Sequence, residues 1–215
     1  MTRVFEIELK CPCCKCRFMS KALLSTNTGP QTTDLHQMAF GFQPVLIVIH
    51  TCLSCGYTGY IKDFEEKKVS KDLTTFVKQI ITPLVRGKKI FPGRQYEYAA
   101  WIAEHRGDPH FDVGRLYLRA AWCCNYEGRK DEERFYRRKA IEYFESVFQK
   151  KEIPEEDLAR YTYLIGELYR RIGNVEKAGM WFDRVINAPG EGEWRKWFID
   201  LAIQQKTNPK EFVGK

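Results

Sequence analysis

Six of the eight cysteines fall in two tight groups, Cys11-Pro12-Cys13-Cys14-Lys15-Cys16 and Cys52-Leu53-Ser54-Cys55, with 37 residues between Cys14 and Cys52. Two residues between cysteines let both sulfurs point at one centre while backbone N–H groups of the turn donate to them. A glycine after the second cysteine, Gly56 here, permits the tight backbone. Two such turns supply the four thiolates of a closed structural zinc site. Cys11, Cys14, Cys52 and Cys55 are therefore the expected ligands and Zn2+ the expected cofactor.

The first group admits two registers, because Cys13 and Cys16 have the same spacing as Cys11 and Cys14. Pro12 favours the Cys11/Cys14 register. Cys13 and Cys16 are then bystanders, or a spare thiol pair that exchanges ligands or senses oxidation. No strand–helix–strand pattern surrounds either pair, which argues against a thioredoxin-like redox motif.

Other polar residues give bland readings. His50 reads as a strand residue beside a site that already has four sulfurs. Asp34 and His36 lack a third orienting group and read as part of a solvated loop. Cys123 and Cys124 sit on a helix stripe and its edge, where buried thiols are the rule. Arg134, Arg137, Arg138 and Lys139 follow Asp131, Glu132 and Glu133, and Glu133–Arg137 is an i,i+4 pair, so a solvated, self-paired helix face is expected. No glycine-rich phosphate loop, HExxH or nucleophile elbow is found.

The elements that must position these residues change character near residue 68. Val4–Leu9 alternates and leads into the first cysteines, and Phe18–Leu24 leads out, which predicts a hairpin with the cluster at its bend. Residues 25–44 contain Gly and Pro breaks and no helical period, as expected of a mobile or functional loop. Met38, Phe40 and Phe42 alternate there as in a short strand. Val45–Thr51 reads as a buried strand delivering the chain to Cys52, with Thr58–Ile61 as its return.

Beyond residue 68 the period is helical. Ser70 is the expected N-cap of a segment reaching Val85, and Gln95–His105 is a second helix. Val113, Leu116, Tyr117, Ala120, Ala121 and Cys124 form one stripe, with Leu118 and Trp122 beside it. Phe135, Ala140, Tyr143, Phe144 and Val147 face inward on the next helix, then Leu158, Tyr161, Ile165, Leu168 and Ile172. Ala178, Trp181, Phe182 and Val185 follow, and a last helix spans residues 193–204. The expected class is α+β: a small β zinc ribbon over residues 1–68, then an all-α array of antiparallel helix pairs over residues 69–215.

Composition excludes several roles. The net charge is +7, but the basic excess is spread as two, two and three charges over residues 1–68, 69–112 and 113–215. Nucleic-acid binders gather such charge on one face, so nucleic acid is not the expected partner here. The N-terminal MTRVFEIELK has no apolar run of the signal-peptide kind, and no stretch is long enough to span a membrane. A cytoplasmic protein is expected.

From Leu164 to Pro189 the chain resembles a tetratricopeptide repeat, with Gly166, Tyr169, Ala178 and Phe182 at its small and aromatic places. Trp122, Ala140 and Phe144 look like a more degenerate earlier pair, 38 residues before if Ala140 is aligned with Ala178. The whole chain also resembles an uncharacterised bacterial and archaeal family that joins a CPxCxxxF…CxxCGY ribbon to a tetratricopeptide-like tail. Cys11, Pro12, Cys14, Phe18, Cys52, Cys55, Gly56 and Tyr57 carry that resemblance. The family often has Pro and Ala where this chain has Leu53 and Thr58. The resemblance implies architecture and no activity.

The function expected on these grounds is that of a non-enzymatic, zinc-binding adaptor holding a protein or peptide in a helical groove. Tyr163, Arg170 and Arg171 fall outside the Leu158–Ile172 stripe and are the expected groove residues. The rivals are a nucleic-acid-binding ribbon and a thiol redox sensor using Cys13 and Cys16.

Overall fold

Alternation in the first residues gives an antiparallel hairpin, β1 (Arg3–Lys10) with β2 (Arg17–Ser25), in which Leu9 lies opposite Phe18 and Lys10 opposite Arg17. The first cysteine group is therefore the hairpin's turn. The computed structural model describes residues 2–65, 69–187 and 192–214. A second, two-residue pair, β3 (His50–Thr51) and β4 (Thr58–Gly59), closes around the second cysteine group.

Two strand expectations need correction. Val45–Thr51 is not one strand: Pro44–Leu46 is a 3-10 turn, and only His50–Thr51 pairs. Pro44 has no N–H to give a ladder and its fixed φ starts a turn instead. Met38–Phe42 forms no strand either; the isolated bridges of the 25–44 segment pair Gln31 with Gln37 and Thr32 with Phe212.

After the short α1 (Ile61–Glu65) the helices follow largely where their periods place them. Ser70 caps α2 (Lys71–Phe76), its Oγ accepting the Leu73 N–H at 3.0 Å. A π turn (Val77–Ile81) separates α2 from α3 (Thr82–Val85). Pro83, two residues beyond the turn, lacks the N–H that a regular helix would use there. Next come α4 (Pro92–Arg106), α5 (His110–Tyr126), α6 (Lys130–Gln149), α7 (Glu155–Arg171), α8 (Val175–Asn187) and α9 (Glu193–Thr207). The architecture is α+β, strand pairs first and helices after. Among the described residues no helix is long and apolar enough to cross a membrane.

The apolar stripes mostly point inward as read. The whole α5 stripe is buried, as are Ala140, Phe144 and Val147 of α6. Phe135 and Leu158 were expected inward, yet both are exposed. On α6 the face is turned so that Tyr136 and Arg137 are buried instead, because Arg137 meets a buried carboxylate described below. Gly166 of α7 lets α8 approach: a Cβ there would stand 2.8 Å from the Phe182 ring.

Two cores result. The smaller holds Leu9, Cys11, Cys52, Cys55 and Tyr57 with Leu73 of α2, Val77 and Ile81 of the π turn, and also Tyr98 and Ile102 of α4. The larger runs through α4–α9 and takes in Val45 and Ile49. Helix α4 contributes to both, and Trp101 packs against each. The expected boundary at residue 68 and the repeat-terminal Pro189 lie outside the described residues.

Candidate metal centre

The two cysteine turns are built alike. In the first, the Cys11 N–H donates to the Cys16 carbonyl and the Lys15 N–H to the Cys11 carbonyl, each at 2.9 Å. In the second, the Cys52 N–H donates to the Tyr57 carbonyl at 2.9 Å and the Gly56 N–H to the Cys52 carbonyl at 2.6 Å. The residue after each second cysteine has positive φ, +66° at Lys15 and +85° at Gly56. Gly56 has a second reason to be glycine, since a Cβ would meet Ile81 Cγ2 at 2.7 Å. Thr82 fastens α3 to this turn, its hydroxyl donating to the Cys55 carbonyl at 2.6 Å.

The turns bring the sulfurs of Cys11, Cys14, Cys52 and Cys55 within 4.8 Å of one another. Cys11–Cys55 and Cys14–Cys52 each stand at 3.6 Å. A tetrahedral zinc tetrathiolate, with Zn–S of about 2.3 Å, has edges of about 3.8 Å, so the group matches that donor set in size and kind. Three of the four cysteines are buried and Cys14 is half-buried. Thiols packed so closely do not share one proton affinity. Cys52 is driven low by hydrogen bonds from Cys11 and Cys55, while Cys55 is pushed up by Cys11 first and then by Cys13 and Cys52.

Residues 4–208 match the family described as an uncharacterised protein conserved in bacteria (DUF2225). The chain belongs to this family. The match runs through both the cysteine turns and the helices, as the resemblance implied. Comparison with curated proteins and with solved structures found no match.

Cys13 and Cys16 lie outside the group of four. Cys16 instead accepts from the Ser54 hydroxyl at 3.3 Å. His50 is buried beside the cluster with its Nδ1 on the Ser20 hydroxyl at 2.8 Å, and burial lowers its pKa. Cys123 and Cys124 are buried on α5 as expected, and burial pushes Cys124 up to about 12.

A second polar centre was missed in the sequence. Asp34, expected in a solvated loop, is 1% exposed. Its Oδ2 accepts from Arg137 at 2.7 Å and from the Trp122 indole at 3.0 Å, its Oδ1 accepts from Thr32 at 2.5 Å, and Arg171 lies 3.7 Å away. Burial pushes the Asp34 carboxyl up, but Arg171 and Arg137 outweigh it and hold the group well below the usual carboxylate range. His36, also expected in solvent, stacks on Trp122 with centroids 4.3 Å apart and reaches the Tyr126 hydroxyl at 3.0 Å.

The expected groove residues serve this same centre. Tyr163 is fully buried and donates to the Thr33 carbonyl at 2.9 Å. Arg171 binds Glu167 at 2.7 Å and Arg170 binds it at 2.8 Å. Thr33 donates to Glu167 at 2.7 Å, and its N–H meets the Glu211 carbonyl at 3.0 Å. The chain's own residues 31–36 and its C-terminal segment thus occupy the side chains proposed for a partner. Arg137 is likewise buried and not part of a solvated face, whereas Arg134 and Arg138 are exposed as expected.

Proposed function

We propose that the chain is a non-enzymatic adaptor whose zinc ion is structural, held by Cys11, Cys14, Cys52 and Cys55, and whose helices receive a protein segment. The observation that carries the metal half is the convergence of four thiols in a buried cluster wedged against α2–α3. Four protein sulfurs leave no coordination position for a substrate, which is the arrangement of closed structural sites. The adaptor half is supported by α7 and α8, whose small and aromatic residues meet as in a tetratricopeptide pair: Gly166 against Phe182 and Trp181, with Ala178 and Tyr169 buried.

Because Tyr163, Arg170 and Arg171 are engaged within the chain, the partner surface lies elsewhere. An apolar groove of about 580 Å³, walled by Phe148, Ile153, Leu158 and Trp181, is the open surface between the α6–α7 turn and α8. Affinity capture with the intact chain and with Leu158→Asp tests the adaptor reading. It predicts a partner held by the intact chain and lost by the variant at unchanged stability, since Leu158 is exposed. Capture of no specific partner, or equal capture by both, overturns it.

A further inference from the structure

Three arginines line one cleft without a tightly bound carboxylate, Arg115 lying 5.5 Å from the centre of the Phe111 ring and Arg160 5.6 Å from that of Tyr161. A cavity of about 310 Å³ opens between α5, α7 and residues 34–37, and Arg115, Arg119 and Arg160 line it. An adjoining cavity of about 400 Å³, beside β4, α1 and α4, shares Arg115 and Arg119. Arg115 pairs with Asp112 at 3.9 Å and Arg160 with Asp157 at 3.8 Å. Both acids are on the arginine's own helix, and both distances are too long for a hydrogen bond. Half-buried Arg119 has no ion-pair partner among the described residues. It donates to the Tyr60 hydroxyl at 2.5 Å and lies 5.6 Å from that ring's centre.

Asp34 is the one acid lining the smaller cavity, and it is already satisfied; of the acids lining the adjoining one, Asp63 and Asp108 pair with Arg106 and Asp112 is the loose partner of Arg115. Asp34 is taken up by Arg137 and Arg171, so its charge does not neutralise the three arginines. His36 on the same wall reports the balance. Burial drives its pKa down to about 4, and Arg119 and Arg137 oppose the upward pull of Asp34. Leu35, Val48, Leu118 and Leu164 give the cleft an apolar wall, with Gln37, Tyr96, Trp122 and Tyr161 among the rest of its lining.

We propose that this cleft binds a small phosphate monoester with a flat apolar body. The phosphate sits among Arg115, Arg119 and Arg160, and the body against Val48, Leu118 and Leu164. Charge decides the class: a phosphate monoester carries about −1.5 to −2 at neutral pH and offers three acceptor oxygens, whereas a carboxylate satisfies a single guanidinium fork. Size sets the scale, because the volume is at the low end of the roughly 300–1,000 Å³ of small-ligand sites. The buried Asp34 gains a purpose on this reading, since it fixes the loop that forms one wall. The proposal does not rest on the metal or adaptor readings.

Calorimetric titration of the intact chain with phenyl phosphate tests it, with inorganic phosphate and phenol as comparisons. Saturable binding of phenyl phosphate is expected, at least tenfold tighter than inorganic phosphate, with none for phenol. Arg119→Gln and Arg160→Gln should each weaken it at least tenfold. Arg160→Gln decides the matter if Arg119→Gln fails to fold for want of its Tyr60 contact, because the Arg160 ion pair is a loose one within its own helix. No saturable binding to the intact chain, or undiminished binding in Arg160→Gln, overturns the proposal. Equal affinity for inorganic phosphate overturns the apolar-body part.

Discussion

Asp34 shows what a single buried charge does here. Its ion pair with Arg137 is almost wholly out of water, with side chains 2% and 1% exposed. Such a pair adds little net stability over an apolar replacement; removing Asp34 leaves Arg137 paired with Glu133 at 3.0 Å, yet takes away the acceptor that Arg137, Trp122 and Thr32 share, at a cost of about 1–3 kcal/mol. Asp34→Ala should lower unfolding stability by that amount in urea titration. The sign of the pH dependence follows from the directions of the shifts. His36 is neutral in the fold down to about pH 4, so the unfolded chain takes up its proton first. Stability should fall between its ordinary value near 6.5 and about 4, by roughly 3 kcal/mol at most, and this loss should be absent in His36→Gln. Asp34 contributes stability present above its unfolded value of about 3.9 and lost as pH falls further through its depressed folded value. The four clustered cysteines were legible because their spacing is local. Asp34 was not, since its partner Arg137 is 103 residues away and no local pattern announces the pair.

At the scale of elements, caps and periods were legible where they are local, as at Ser70 and along α5. A short apolar run was not: Val45–Ile49 is buried at both ends yet is a turn, and a run of that length carries no period to separate the two. Phe135 was misplaced because the α6 face turns to bury the Arg137 charge against Asp34; Leu158, in the first turn of α7, is exposed with no such partner to explain it. Two glycines should prove stringent. Gly56→Ala must hold a left-handed backbone and displace Ile81, which should cost about 2–3 kcal/mol in thermal or urea unfolding. Gly166→Val pushes into the Phe182 ring and should cost about 1–3 kcal/mol, with loss of α7–α8 amide protection in hydrogen exchange.

At the scale of the whole molecule, the cysteine turns share their core with α2–α3 and with one face of α4. Composition placed a change near residue 68, but packing across it depends on residues distant in sequence and had no local sign. If the centre is a structural zinc site, its loss should be felt beyond the ribbon. Chelation should speed amide exchange in α2–α3 and along the Tyr98–Ile102 side of α4, while α7 and α8 keep their protection. Uniform exchange throughout, or none outside residues 11–57, would contradict that coupling.

The most direct test is the metal content of the purified chain, measured by elemental mass spectrometry alongside Cys52→Ser, Cys13→Ser and Cys16→Ser. One zinc per chain is expected in the intact protein. Cys52→Ser should lose it, while Cys13→Ser and Cys16→Ser should keep it at nearly unchanged thermal stability. An intact chain without bound metal, a metal that survives Cys52→Ser, or zinc lost from Cys13→Ser or Cys16→Ser would contradict the account.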